Sequence, residues 1–339
     1  MTPRHHHRRR AAALAAVVSL VLVGCAPDLP QPHPEAAPAV APPTLTTDQS
    51  ERVLVALGKT LTDADGALSA DSLKARLSGP ALASRSAEYS VSKTTSGAKG
   101  LTALPTKAQT LVVPSTEAWP RTEFVVTTQP DDLSSPRLLV LQQADPRSQY
   151  TLWGWARLLP GVKMPATAAP TTGSAPVAPD AKGLAATPTD VVSQYADVLL
   201  NGDKSTHAKT FTAADSYRKG IVNGREPLAN VAKQASGKFT ETYAPVKDQT
   251  FALATADGGA LVVAGMSTVS DLTFSGASLS PPPELVAVSG GKLKSGVELR
   301  NSLKVTYADV VAFYIPPAAK KAQVQVLGAE HIRTSVTGS

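Results

Sequence analysis

The chain reads as an α+β protein in which two units, each a helix followed by a meander of antiparallel strands, stand behind an exported N-terminal segment. Three observations predict this. Apolar residues recur at helical spacing and then alternate at strand spacing, and the succession happens twice along the 339 residues. Two stretches rich in Pro and Ala interrupt the pattern, over 26–43 and 160–188. The start is basic, then apolar, then ends on the only cysteine of the chain. The divisions follow: a signal over 1–24, a tether over 25–46, a first α+β domain over 47–161, a linker over 162–188, and a second α+β domain over 189–336 with an inserted loop near 270–300.

Arg4, Arg8, Arg9 and Arg10 precede thirteen apolar or small residues, Ala11 to Val23, and then Gly24-Cys25. A basic start, a short apolar middle and small residues at a cleavage point make a secretory signal. Thirteen residues rise only ~20 Å as a helix, short of the ~30 Å that a membrane span must cross. Leu22-Val23-Gly24-Cys25 resembles the lipobox of bacterial lipoproteins. That resemblance implies cleavage between Gly24 and Cys25, acylation of Cys25, and a body held on the outer leaflet of the cytoplasmic membrane. Both Sec and twin-arginine export remain open. His5, His6 and His7 belong to the discarded basic start.

Of the 33 Lys and Arg, four lie upstream of Cys25, leaving 29 against 27 acids, or +2. No dense basic stripe remains, so nucleic acid is not an expected partner. With its one thiol acylated, an exported chain of this kind relies on its cores and not on disulfides. Seven prolines in the eighteen residues Ala26 to Pro43 keep the tether extended, reaching up to ~55 Å.

In the first domain Val53, Leu54, Leu57 and Leu61 predict a helix capped by Asp48 or Ser50, and Leu73, Leu77 and Leu82 a shorter second one. Strands are expected over 110–113, 121–128, 137–142 and 150–158, with turns at Pro130-Asp131-Asp132 and Asp145-Pro146-Arg147. The stretch 160–188 carries six prolines, and Met164 and Leu184 give it means to pack on a domain surface. In the second domain Val191, Val192, Tyr195, Val198 and Leu199 form a helical face ended by Asn201-Gly202. A helix over 211–222 and strands over 238–243, 250–255, 260–269, 302–314 and 323–333 complete it. Residues 137–142 correspond to 309–314, and 150–158 to 323–330, so a duplicated unit is the simplest account.

This order of elements resembles the cystatin-like cone of nuclear-transport-factor-two-like domains. Along nearly all of the mature part, phrases such as Gly79-Pro80-Ala81-Leu82, Gln129-Pro130-Asp131-Asp132, Trp153-Gly154-Trp155-Ala156-Arg157 and Ala308-Asp309-Val310-Val311-Ala312-Phe313-Tyr314 make the chain similar to actinobacterial lipoproteins of uncharacterised function. That resemblance assigns no catalytic residue.

Reactive constellations are sparse. The mature chain has three histidines: His33 in the tether, His207 at a polar helix start, and His331 on the last strand, expected as a surface or half-buried residue. No Gly-x-Ser-x-Gly elbow and no phosphate-cradling glycine loop occurs. Asp63-Ala64-Asp65-Gly66 lacks the third ligand and the later Glu of a calcium loop, so no metal and no cofactor is expected. Tyr307, Asp309, Val311 and Phe313 share one strand face, so Tyr307 and Asp309 would form the polar part of a pocket if that face lines a cone. Trp153 and Trp155 alternate with Gly154 and are expected on one side of the sheet, as core fillers or, if exposed, as an aromatic platform. The expected role is a non-enzymatic binding or scaffold module at the cell envelope, with an envelope protein or the cell wall as partner. The alternatives are a small-ligand binder or enzyme using a cavity in the second domain, and an accessory of cell-wall synthesis.

Overall fold

A computed structural model describes residues 41–213 and 215–339. The signal, Gly24, Cys25 and residues 26–40 of the tether lie outside the described residues. Helix α1 (Thr47–Ala67) begins at a capping box: Thr46 Oγ1 accepts from the Gln49 N–H at 3.3 Å and Gln49 Oε1 from the Thr46 N–H at 2.8 Å. The cap thus lies upstream of the expected Asp48 or Ser50. Ser50 is buried instead and donates to Glu123 Oε1 at 2.6 Å. Leu54, Leu57, Leu61 and Ala64 form the inner stripe of α1.

A 3-10 turn at Ser72–Ala75 leads to α2 (Gly79–Thr94), which starts on Pro80, where a missing N–H costs no helical bond. Arg85 ties α2 to α1. Its guanidinium donates to both carboxylate oxygens of Asp65 at 2.9 and 2.6 Å and to Glu88 at 2.7 Å, while Tyr89 donates to Asp65 at 2.6 Å. Asp65, in the last turns of α1, is therefore the acceptor of this clamp.

Strands β1 (Ala108–Val112), β2 (Arg121–Thr127), β3 (Arg137–Gln143) and β4 (Thr151–Leu158) pair antiparallel in sequence order. The second half repeats the succession with longer strands: α3 (Pro188–Asn201), α4 (Ser216–Gln234), β5 (Lys238–Ala254), β6 (Ala260–Thr273), the short α5 (Pro283–Ala287), β7 (Ser302–Ile315) and β8 (Gln325–Gly338). Two expectations change. The helix expected from Phe211 begins only at Ser216, because Phe211 is a core residue bridged to Val324 and Asp215 supplies the cap. The strands expected over 238–243 and 250–255 are one strand, irregular between Pro245 and Thr250.

All eight strands form one curled antiparallel sheet, half of a barrel, in the order β1-β2-β3-β4-β8-β7-β6-β5. The halves meet where β4 pairs with β8, over Arg157↔Ala329 and Leu158↔Gly328 alone. One face of β1–β4 packs on α1 and α2 through Leu139, Leu141, Leu152 and Trp155. One face of β6–β8 packs on α3 through Met266, Val311, Phe313 and Val326. The remaining faces of the two halves turn towards each other and share a core in which Phe124, Leu138, Val140 and Trp153 meet Leu261, Val263, Val310 and Leu327. The Pro/Ala-rich linker is laced to both halves, Ser174 bridging to Pro114 and Pro176 to Leu253.

The β4–β8 joint needs Gly328. A Cβ there would lie 2.8 Å from the Arg157 carbonyl oxygen, closer than such atoms approach. Gly328→Ala is expected to lower stability by about 1–3 kcal/mol, read as an earlier urea midpoint. An unchanged midpoint would show that the joint is not tight.

Candidate functional site

The long strands β5–β7 run past the end of α3, and what covers the exposed part of that face is sparse. Along β7 the side chains of Leu303, Val305 and Tyr307 line a cavity of about 1150 Å³, and Leu272 and Phe239 continue its floor on β6 and β5. Its roof is α4, its far wall the segment around α5, and its side wall Ala87, Glu88 and Val91 of α2. The cavity is therefore built by both halves. The volume exceeds the ~300–1,000 Å³ typical of small-molecule sites.

Helix α4 makes a thin roof. Among its nineteen residues only Arg218 and Ala232 are buried. It carries Gly220, Gly224 and Pro227, and these three face the cavity. A Cβ built on Gly220 or Gly224 meets nothing within 4 Å. Pro227 removes one helical hydrogen bond. Arg225 latches the middle of the roof: it donates to Glu241 at 2.8 Å, to the Leu199 carbonyl at 2.8 Å and to the Leu200 carbonyl at 3.1 Å, the last two being free carbonyls at the end of α3.

The polar end of the cavity gathers around Asp309, whose exposure is 0%. A carboxylate taken out of water must find donors. Thr268 Oγ1 on β6 donates to Asp309 Oδ2 at 2.6 Å, Tyr217 OH on α4 donates to Oδ1 at 3.3 Å, and His331 Nδ1 on β8 meets Oδ1. Tyr307 lies flat on the His331 ring, 3.9 Å between centroids with an interplanar angle of 11°. Burial, and next the nearby Asp309 charge, hold the Tyr217 phenol well above its ordinary range, so it stays a donor.

A second carboxylate, Glu241 on β5, accepts from Ser270 at 2.9 Å, Tyr243 at 2.7 Å and Arg225. Burial first and Glu241 second push the Tyr243 phenol up.

Chemically this is an oriented imidazole at the end of an apolar chamber. Asp309 takes Nδ1, so Nε2 is the ring atom left for a ligand, with no partner among the described residues. Among the same residues no hydroxyl or thiol hydrogen bonds to Nε2, and Ser270 is committed to Glu241. A nucleophilic relay is not assembled there. No group of three His, Cys, Asp or Glu among the described residues is placed to hold a metal, and no helix among them is long and apolar enough to cross a membrane.

Of the residues singled out in the sequence, Tyr307 lines the cavity and Asp309 lies buried behind it, the two joined by His331, a half-buried residue on the last strand. Trp153 and Trp155 do not share a side. The register shifts opposite Val140 and Leu141, and this bulge turns Trp153 into the core between the halves while Trp155 packs under α1 and α2. With exposures of 4% and 2% they are core residues and form no platform. The Trp155 indole donates to Glu330 at 3.2 Å.

The matched region covers the whole of this architecture. Residues 41–338 match the family described as a domain of unknown function, DUF8094. The chain belongs to the DUF8094 family. No curated protein and no solved structure matches it.

In this DUF8094 chain the contact of His331 Nδ1 with Asp309 Oδ1 assigns the ring proton to Nδ1. Nitrogen-15 NMR near pH 8 is expected to show His331 in the Nδ1–H tautomer, and Asp309→Asn to remove that bias. An Nε2–H signal in the parent would contradict the assignment.

Proposed function

We propose that this chain is a binding module that encloses one amphipathic small molecule beneath α4, its apolar part along β5–β7 and its polar group at His331 Nε2. The observation that carries this reading is the joining of a large, mostly apolar chamber to a preorganised imidazole with a free ring nitrogen. Sites for small molecules are concave, largely apolar, and fixed by a few convergent polar groups. The roof supplies an entrance: α4 packs little of its own surface, and its Gly220, Gly224 and Pro227 weaken it in the middle. The oriented imidazole also favours a second reading, general-base chemistry on such a ligand.

We further propose that the module is exported and lipid-anchored through Cys25, on the outer face of the cytoplasmic membrane. Leu22-Val23-Gly24-Cys25, the basic and apolar run before it, and the extended tether after it support this placement. It would put the chamber where amphiphiles are plentiful and an envelope or cell-wall partner is in reach. The two halves are best explained as a duplicated helix-plus-meander unit, resembling a cystatin-like pair. Matching order of elements and the similar position of β3 and β7, and of β4 and β8, within their meanders support that origin.

The test fills the chamber from its roof. Gly220→Leu and Gly224→Leu place side chains into open space and should raise helix propensity by about 0.5–1 kcal/mol each. With a dansylated eleven-carbon fatty acid as probe, the full chain is expected to bind with blue-shifted emission. The double variant, folded and at least as stable, should bind about tenfold more weakly, the effect of about 1.4 kcal/mol. No binding by the parent, or equal binding by the variant, would refute the chamber.

A further inference from the structure

A second concavity lies in the first half, where Thr44 and Leu45 lead into α1. It measures about 610 Å³, and its wall includes Thr44, Arg52, Arg76, Trp119, Arg121 and Tyr150. Three arginines line it, and no Asp or Glu does. Three arginines elsewhere in the fold, Arg85, Arg218 and Arg225, each meet a carboxylate within 2.8 Å; Arg137, Arg147 and Arg333 meet none among the described residues, but none of those lines this concavity. Among the described residues Arg52, Arg76 and Arg121 pair with none. Arg76 reaches only the Tyr150 carbonyl, at 3.4 Å.

Arg121 stacks on the Trp119 ring at 3.9 Å, and its buried Nε meets no acceptor. The buried hydroxyls of Thr44 and Tyr150 neighbour each other without meeting hydrogen-bond geometry, and neither has another partner among the described residues. The nearest acid on the same face of β2 is Glu123. It is buried, accepts from Ser50, and is pushed up to about 7 by burial, so it offsets no more than part of one positive charge.

We propose that Arg52, Arg76 and Arg121 form a phosphate-binding site. A guanidinium offers a planar fork that takes two oxygens of an anion, and a carboxylate has only two to give. Three forks around one concavity fit a group with more oxygens and up to two charges. Trp119 holds the Arg121 plane in place, so less side-chain freedom is lost on binding. The phosphate has two sources, a soluble phosphate or the headgroup of a membrane lipid. The second is the source that the proposed lipid anchor at Cys25 would bring within reach. The site is separate from the α4 chamber and stands whether or not that chamber takes a ligand.

The experiment uses the full chain carrying Cys25→Ala, so that no acyl chain obscures the readout. Inorganic phosphate is titrated by calorimetry at low salt and again at 0.5 M chloride, where screening should weaken binding. Saturable binding that falls about tenfold in each of Arg52→Gln, Arg76→Gln and Arg121→Gln, as loss of a charge-assisted pair requires, supports the site. Arg52 is exposed, so its variant keeps the fold and serves as the secure arm; Arg52→Lys should recover part of the loss. Flotation with phosphatidylcholine vesicles, with and without phosphatidylglycerol, separates the sources. Flotation that needs phosphatidylglycerol and Arg52 identifies a lipid phosphate, and phosphate binding without flotation identifies a soluble one. Absence of both, or affinities unchanged in the variants, overturns the proposal.

Discussion

Asp309 is the constraint around which the second half is organised. A carboxylate with no access to water costs several kcal/mol unless donors surround it. Here the donors come from three different elements: Thr268 from β6, His331 from β8 and Tyr217 from α4. Satisfying one side chain thereby fixes the imidazole, seats Tyr307 on it, and pins the first turn of α4 over the strands. The polar end of the chamber is a by-product of solving that burial problem. Glu241 repeats the solution two strands further out, on β5, with Arg225 joining it to the carbonyl end of α3.

The length of β5–β8 explains why there is a chamber at all. In the first half the strands run five to eight residues and α1 and α2 cover them. In the second half they run fourteen to seventeen, and α3 covers only the part near Val311 and Phe313. The rest is closed by a loose helix, by the segment around α5, and by α2 of the other half. The insertion between β6 and β7 packs its Val288, Leu293 and Leu299 with Ala87. It thus contributes a wall to the chamber and ties the two halves together at the end opposite the β4–β8 joint.

Much of this was legible from residues alone. Val191, Val192, Tyr195, Val198 and Leu199 announce α3, and the alternation along 307–314 assigns Asp309 and Phe313 to one face, as observed. The Asp309–His331 pair was not legible, because β7 and β8 contain irregularities at Thr306/Tyr307 and Ala312/Phe313 that shift the register. Counting in twos from a turn cannot locate such shifts. Trp153 illustrates the same limit: one extra residue opposite Val140 reverses its face. The continuity of the sheet was hidden for another reason, since β4 and β8 are far apart in sequence and their joint is only two residue pairs wide. The three unpaired arginines left no local pattern, because they reach one concavity from α1, from the turn before α2, and from β2.

Native mass spectrometry of the full chain, purified from the cells that make it without added lipid, tests the central claim most directly. The account predicts one non-covalent amphiphile per chain, displaced when the α4 roof is filled by leucines at 220 and 224. A chain that carries no adduct, or one whose adduct survives that substitution, would contradict it.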